Sequence, residues 1–459
     1  MAIRAGGIGS GLDIEGLVAQ LVAAEAEPAN ARLNVKENEL QSELSAYGTL
    51  KSALTTFQTS VTSLEGSTAF QVYNATSSNN ETFTVTAGST AAAGNYDIEV
   101  TQLAQVAKIR SADFTDSDEV IGTGTLDITL GVDTFQITID GTNNTLANIR
   151  DEINAASDNP GVTASLITVD SGTQLLLTSN QTGASNTITV AAVDDDGVDG
   201  FDLTRLDSAS LVTVQPPLSA IIELDSQTVT RDSNTFSDVI SGVTFNLAQA
   251  DPGTVETLTV SSDITAMKEK IESFVSNYNV LVGIMKGLSN YDVSTGVASA
   301  LNGDSIVRGI QSQLRQTLFT GVSGGAFSNL TELGITLDDT GSLVTDSAEL
   351  NDKLTNNLAD VEQFFTSETE GLAQAFTTAL SGYQDADGIL DFRTESIQSR
   401  LDDVDDDRDT LTRRMAGLEA RLRTQFIAMD ILVSQLQSVG SFLTNQLANL
   451  PEPNSVNRN

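Results

Sequence analysis

The sequence predicts an α+β multidomain protein, in which long N- and C-terminal helices form a coiled-coil stalk and a helical domain, with two nested β-rich head domains. Three observations predict this class. An apolar seam of heptad period runs over residues 397–450, a second seam of the same period covers residues 33–64, and the hydrophobic period falls to two in the residues between them. Because the chain has 459 residues, enough for about three domains, the β-rich middle can be inserted between two helical ends.

The C-terminal seam alternates steps of four and three residues and contains no proline or internal turn signal. A helix of this length would span roughly 80 Å, so it needs another helix as a partner. Arg408, Gln425 and Gln446 interrupt the seam, and they either fix its register or face solvent at a local bend. The apolar members are Ile397, Leu401, Val404, Leu411, Met415, Leu418, Leu422, Met429, Leu432, Leu436, Val439, Leu443 and Leu450.

The N-terminal stretch predicts a helix that Asp13 can cap and that Pro28 is expected to end or kink. Its residues at helical spacing form one apolar stripe, which would aggregate if it were permanently exposed. We therefore expect this stripe to be buried in an oligomer, together with the end of the C-terminal seam from Phe426 onward. The stripe consists of Ile14, Leu17, Val18, Leu21 and Val22.

A second helical run carries the shorter heptad seam, which is interrupted at Lys36 and Glu43. The two seams belong either to unrelated amphipathic helices or to helices that pair with each other. Each seam otherwise lacks a partner, so we favour the pair, with the C-terminal seam contributing to the stalk through about Leu422. The seam residues of this run are Leu33, Leu40, Tyr47, Leu50, Leu54, Phe57, Val61 and Leu64.

The middle of the chain alternates as strands separated by Gly, Asn and Asp turns. Strands are predicted at 82–86, 96–103, 125–130, 135–140, 162–169, 174–179 and 187–193, with one short helix at 145–156. Beyond Pro216 and Pro217, strands at 221–225, 227–231, 242–247 and 256–263 could pair with those at 82–103. Helical periodicity returns at about residue 263, and a β-hairpin is predicted with its turn around Asp339 to Gly341.

These elements predict four regions, each built from one or two segments of the chain. Residues 1–35 and 425–459 form terminal mobile segments used in assembly, and residues 36–70 with 263–424 form the helical stalk domain. Residues 71–109 with 215–262 form a β-rich head domain. Residues 110–214 form a second β-rich domain inserted in the first.

Composition excludes several functional classes. The formal net charge is −39, which disfavours nucleic acid and anionic membranes as partners. There is no Cys and no His, so Ser-His-Asp and Cys-His catalysis and ordinary zinc sites are excluded. The acidic stretches 194–202 and 385–391 raise calcium as an alternative, although their spacing does not match an EF-hand. We expect no cofactor, no cleavable signal of the Sec type, and no run apolar enough to enter a membrane.

Several segments resemble the bacterial flagellar filament-cap family, also called the hook-associated protein 2 family. GIGSGLDIEGLVAQLVAAEAEP at residues 7–28 is similar to the opening of that family, and RDSNTFSDVISGVTFNL at 231–247 is similar to a recurring segment of it. The segments 274–292, 304–318, 330–346 and 421–448 resemble the family equally. Residues 145–190 are similar to a module found in several flagellins and hook-associated proteins.

The resemblance implies a homo-oligomeric ring, usually of five subunits, that caps the growing filament. Such a cap folds incoming flagellin into place and prevents its leakage, and it carries no catalytic residues or cofactor. The family is exported unfolded through the flagellar type III channel, so the implied location is extracellular, at the filament tip. The implied partners are flagellin, the hook-filament junction proteins and an export chaperone. The family's interaction regions correspond to residues 7–28 and 397–450, which would be mobile in the monomer and ordered on assembly.

Two other functions compete with the cap. An adhesin would use the β-rich head to bind a surface or host glycan, and saturable binding by residues 110–214 would support it. A carboxylate-based glycosidase is the third, because 62 acidic residues guarantee candidate pairs without locating one.

Overall fold

The structure is a computed structural model that describes residues 11–195, 197, 202–319, 321–322, 325–367 and 371–448. Long helices lie at both ends of this range, and strands fill most of the first half between them. The helices are α1 Ile14–Thr62, α2 Leu146–Ala155, α3 Ile264–Ser289, α4 Ser305–Phe319, α5 Ser347–Asn356, α6 Leu358–Thr366, α7 Leu372–Gln384 and α8 Ile389–Ala448.

Most strands are short and fall between α1 and α3. They are β1 Tyr73–Ser77, β2 Phe83–Ala87, β3 Gly94–Gln102, β4 Val106–Arg110, β5 Gly124–Leu130, β6 Asp133–Ile139, β7 Val162–Val169, β8 Gly172–Thr182, β9 Ile188–Asp194, β10 Val212–Gln215, β11 Ala220–Leu224, β12 Gln227–Arg231, β13 Thr235–Ile240, β14 Val243–Leu247, β15 Glu256–Ser262, β16 Tyr291–Asp292, β17 Val297–Ala298, β18 Ile335–Leu337 and β19 Leu343–Thr345. The predicted hairpin is confirmed, because β18 pairs antiparallel with β19.

The chain folds as two compact units, one made of residues 1–66 with 269–459 and the other of residues 67–268. The first unit is helical apart from two small hairpins, and the second is β-rich with the single helix α2 among its described residues. The second unit is inserted in the chain of the first. The predicted α+β class, with β-rich structure nested between long terminal helices, is therefore confirmed.

The β-rich unit has two hydrophobic cores, and the first lies between a five-stranded and a three-stranded sheet. Their strand orders are β1-β15-β3-β11-β12 and β13-β14-β2. Strands that precede and follow residues 106–215 therefore pair with each other, as predicted, and the register sets Phe245 opposite Val85. The core is filled by side chains that include Phe83, Ile98, Ile222, Val243, Phe245 and Leu258.

The second core lies between the sheets β10-β4-β8-β7 and β6-β5-β9, with α2 packed on it. Thr145 caps α2 by accepting a hydrogen bond from the Asn148 backbone N–H. Leu146, Ile149 and Ile153 are fully buried, as the helical spacing predicted. Ala107 of β4 also belongs to this core.

The helical unit is organised around a cluster of aromatic rings. Phe57 of α1 lies with its ring centroid 5.6 Å from Phe274 of α3 and 5.4 Å from Phe376 of α7. Tyr278, one turn further along α3, is 5.9 Å from Phe57. Such pairs add roughly 0.5–1.5 kcal/mol beyond the burial of their area. The cluster fastens the end of α1 to α3 and α7.

Pro28 does not end the first helix, so of the two predicted effects only a kink stays a prediction. Helix α1 continues through Pro28 for 49 residues. A proline inside a helix removes one backbone hydrogen bond, here the one to the carbonyl of Ala24. Both residues are exposed, so water can satisfy that carbonyl. Contacts with α8 on both sides of Pro28 hold the helix together.

Candidate assembly surface

Helices α1 and α8 run antiparallel and are joined by a ladder of ion pairs. The residue numbers of the paired positions decrease along α1 as they increase along α8, which shows that the two helices are antiparallel. The prediction that the two ends of the chain pair with each other is confirmed. The pairs are Lys51–Asp391, Glu43–Arg393, Glu43–Arg400, Glu37–Arg408, Glu25–Arg414 and Glu15–Arg423.

The α8 seam is covered by α1 over its first half. Ile397, Val404 and Met415 are buried. The other apolar seam residues from Leu401 to Leu422 are half-buried. On α1, Leu40, Tyr47 and Leu50 are buried, and Leu33 is half-buried. The half-buried α8 residues are Leu401, Leu411, Leu418 and Leu422.

The end of the α1 seam does not face α8. Helix α8 begins at Ile389, beside the Lys51–Asp391 pair, so α1 residues well beyond Lys51 extend past its start. Phe57 packs in the aromatic cluster with Phe274 and Phe376. The seam residues that follow Lys51 are all buried in the helical unit: Leu54, Phe57, Val61 and Leu64.

The other end of α8 extends past the start of α1. The Arg423–Glu15 pair lies one residue from the first residue of α1, and α8 continues to Ala448, roughly 37 Å further. Every described residue from 434 to 448 is exposed; Leu436, for example, is 62% exposed. The predicted division of the seam near Leu422 and Phe426 coincides with the place where burial ends. The exposed large apolar residues are Met429, Ile431, Leu432, Leu436, Val439, Phe442, Leu443 and Leu447.

The N-terminal stripe is split between the interior and the surface. Ile14 is 2% exposed and Val18 is 1% exposed, whereas Leu17 is 41% and Leu21 44% exposed. Val22 is half-buried. Ile14 and Val18 are covered within the chain itself, because the Glu15–Arg423 pair brings α8 beside this turn.

Arg408 reaches across to α1, and 36% of its side chain is exposed. Its Nη2 donates a hydrogen bond to Asn34 Oδ1 at 2.7 Å and also bonds to Glu37. Gln425, the next polar seam position, is exposed, as is Gln446. Phe426 is half-buried, and Leu450 lies outside the described residues.

The apolar spacing of the two seams does not reveal the ion-pair ladder, although the charged residues of the sequence carry a signal for it. Helix α8 carries seven arginines in a chain of net charge −39. Glutamates on α1 at 15, 25, 37 and 43 run in the opposite order to their partners. Opposite charges on two candidate helices indicate both pairing and direction. The arginines are Arg393, Arg400, Arg408, Arg413, Arg414, Arg421 and Arg423.

The acidic stretches raised as calcium sites act as turn and cap acceptors where they are described. Asp194 accepts a hydrogen bond from the Leu203 backbone N–H at 2.8 Å, and Asp202 accepts one from Thr204. Residues 196 and 198–201 lie outside the described part of the chain. Within that part, no group of three or more acidic side chains is placed to hold a metal ion.

The prediction that no run of the chain is apolar enough to enter a membrane is wrong when it is judged by length and composition. The described helical region Leu372–Ala448 contains a stretch long and apolar enough to cross a membrane, and none of that stretch is buried. This criterion considers only length and composition. The stretch coincides with the exposed end of α8, whose apolar residues keep heptad spacing.

Comparisons with known proteins agree over nearly the whole chain. Family models of the flagellar hook-associated protein 2 N-terminus and C-terminus match residues 10–107 and 218–438. The B-type flagellar hook-associated protein 2 of Pseudomonas aeruginosa is 34% identical over 97% of this chain and 97% of its own length. The chain belongs to the flagellar hook-associated protein 2 family. The resemblance stated from its segments is confirmed, and the chain is a flagellar component.

Other relatives in this family also match most of the chain. The flagellar hook-associated protein 2 of Escherichia coli K12 is 32% identical over 96% of this chain and 97% of its own length. A crystal structure of the D1-D2-D3 domains of the flagellar cap protein FliD from Escherichia coli is similar with a TM-score of 0.66 and 32% identity, covering 77% of this chain and 99% of that chain. The flagellin hook IN motif matches residues 125–181, inside the second core of the β-rich unit. These two relatives are named as a flagellar hook-associated protein and a flagellar cap protein.

Proposed function

We propose that the chain caps the flagellar filament as a homo-oligomeric ring of five copies at the extracellular tip. There it promotes the folding and polymerisation of flagellin and prevents flagellin from leaking away. It contacts the hook-filament junction proteins and an export chaperone on its way to that place. The observation that carries the proposal is the apolar surface at the end of α8, from Met429 to Leu447, which α1 leaves exposed.

This surface suits a protein partner better than a lipid bilayer. Its large apolar residues follow heptad spacing, which provides a seam for another helix. Polar residues lie between them, among them Ser434, Gln437 and Ser441. In a bilayer these polar side chains would lose their hydrogen bonds to water without gaining a defined partner. In a helix assembly they can remain on the outer face, in contact with water.

Assembly without catalysis is sufficient for the proposed role. A ring forms when each copy makes the same head-to-tail contact and the rotation between copies closes. We assign assembly to residues 1–35 and 425–459, with Leu17, Leu21 and the end of α8 as contact residues. Residues 36–70 with 263–424 form the stalk. The two β-rich domains, 71–109 with 215–262 and 110–214, form the head, and glycan binding by that head stays a prediction.

The decisive experiment changes charge on the exposed seam. Leu436→Asp with Val439→Asp places two carboxylates on the apolar face. Ser434→Asp with Ser441→Asp adds the same charge on the opposite face of the same turns. All four residues are exposed, so both variants should fold as the parent does. The seam variant should produce short or absent filaments and release flagellin into the medium, whereas the control should support normal filaments. Normal filaments from the seam variant would contradict the proposal.

A further inference from the structure

A cleft in the helical unit combines an apolar interior with two cations. It has a volume of about 530 Å³ and lies between α3, α4 and the turn of the β18–β19 hairpin. Tyr278, Met285 and Leu314 are its buried lining residues. Lys286 and Arg315 also line it, and both are exposed. Binding clefts typically have this composition, with apolar walls and a few convergent polar groups.

The two cations of this cleft supply hydrogen-bond donors. Lys286 Nζ bonds to the backbone carbonyl of Thr340, and an ammonium group has further donors available. Arg315 forms no ion pair within the described part of the chain. Burial raises the pKa of Tyr278 to about 12, and the positive charge of Arg315 acts in the opposite direction. Tyr278 and Arg315 therefore line the same cleft within electrostatic range of each other.

Such a site favours a carboxylate. Lys286 also helps to lower the pKa of Asp338, but that carboxylate is already hydrogen-bonded by Thr340 and Ser342 in its own turn. Arg315 forms no hydrogen bond with the other described residues, and a planar guanidinium matches the two oxygens of a carboxylate.

The outer face of α8 offers the complementary charge. Four aspartates at spacings of three, four and seven residues lie on one face, away from the seam that meets α1. All are exposed, and none forms an ion pair with a cation among the described residues. Like charges at these spacings destabilise a helix, so a cationic partner would relieve an existing repulsion. The residues are Asp402, Asp405, Asp406 and Asp409.

We propose that the cleft lined by Lys286 and Arg315 receives the aspartates on the outer face of α8 from a neighbouring copy. The inference rests on the proposed ring, and it names one contact within it. The cleft and the acidic face are different surfaces of one chain. Their contact is therefore heterologous, which is the type of contact that can close a ring.

Charge reversal tests the contact in the full chain. Arg315→Glu alone and Asp406→Arg alone should each raise the concentration needed for half-assembly roughly tenfold, which corresponds to about 1.4 kcal/mol per contact. The double variant restores an opposite pair at every interface of a homo-oligomer, so it should assemble within about threefold of the parent. Arg150→Glu makes the same charge change on α2 of the β-rich unit and should leave assembly unchanged. Sedimentation velocity over a concentration series measures all four.

The outcomes separate this inference from the ring proposal. Circular dichroism of each variant at low concentration verifies that the monomer keeps its helices. Single variants that assemble normally, or a double variant weakened by the sum of the two single effects, would overturn the contact while leaving the ring intact. A parent chain that stays monomeric at every concentration would overturn the ring and this contact together.

Discussion

The two halves of the α8 seam should respond in opposite ways to the same kind of substitution. Ile397 is 0% exposed, whereas Leu436 is 62% exposed, and both occupy seam positions of one helix. Ile397→Ala removes a buried side chain and should lower the free energy of unfolding by about 2–5 kcal/mol. Leu436→Ala removes a side chain that is already in water, so we expect a change within about 0.5 kcal/mol.

Association should show the reverse pattern. Full burial of a leucine side chain is worth about 1.5–3 kcal/mol. With 62% of Leu436 still exposed, and with part of the side chain retained in alanine, Leu436→Ala should weaken each contact by about 1 kcal/mol, or about fivefold. Ile397 is covered within its own chain, so Ile397→Ala should leave association unchanged wherever the chain stays folded.

Two measurements on the same samples separate these effects. Urea unfolding followed by circular dichroism, at a concentration where the chain is monomeric, reports the free energy of unfolding. Sedimentation velocity over a concentration series reports association. If Leu436→Ala lowered the free energy of unfolding as much as Ile397→Ala does, the end of α8 would be packed in the monomer. If it left association unchanged, Leu436 would lie outside the interface.

Two further predictions concern the core of the helical unit. Asp304 accepts hydrogen bonds from the Ile306 and Val307 backbone N–H groups and, at 2.7 Å, from the buried Tyr47 hydroxyl. Asp304→Ala should therefore cost about 2–4 kcal/mol in thermal unfolding, and a loss below about 0.5 kcal/mol would contradict this. Burial raises the pKa of Tyr278 to about 12. Above about pH 10 the unfolded state therefore releases a proton that the folded state keeps. The free energy of unfolding should fall by about 1.4 kcal/mol per pH unit between about pH 10 and pH 12. Tyr278→Phe should make that fall shallower in urea unfolding at pH 9 to 12, and an unchanged slope would refute the assignment.

Periodicity was sufficient to predict the architecture but not the details that depend on partners. Tyr278 of α3 and the residues Leu146, Ile149 and Ile153 of α2 are buried on the inward faces of their helices. Strand β4 was missed, because its burial depends on β8 and β10 on either side. Pro28 does not end α1 for a similar reason, since the cost of a lost hydrogen bond is local whereas the stabilisation of α1 comes from α8.

The assembly surface was predictable only in part. Heptad spacing identified Leu432, Leu436 and Val439, and their exposure follows from the antiparallel register, which the spacing alone does not contain. That register also explains why Ile14 and Val18 are buried whereas Leu17 is exposed. The ion pairs on α1 and α8 could have supplied it, because Glu15 and Arg423 lie near opposite ends of the sequence.

The distribution of charge limits where copies of this chain can approach each other. A net charge of −39 makes most surfaces of one copy repel the same surfaces of another, and ions screen this repulsion only over distances beyond about 8 Å at physiological salt. The stretch from Ile431 to Ala448 contains no charged residue, and its large apolar side chains are exposed. Close approach there costs no like-charge repulsion within the contact and removes apolar surface from water. Contacts nearer the acidic face of α8 need positive charge on the neighbouring copy. In the proposed contact, Arg315 and Lys286 supply that charge. Association through the neutral end should therefore respond weakly to salt, whereas a contact through the cleft should weaken as salt rises.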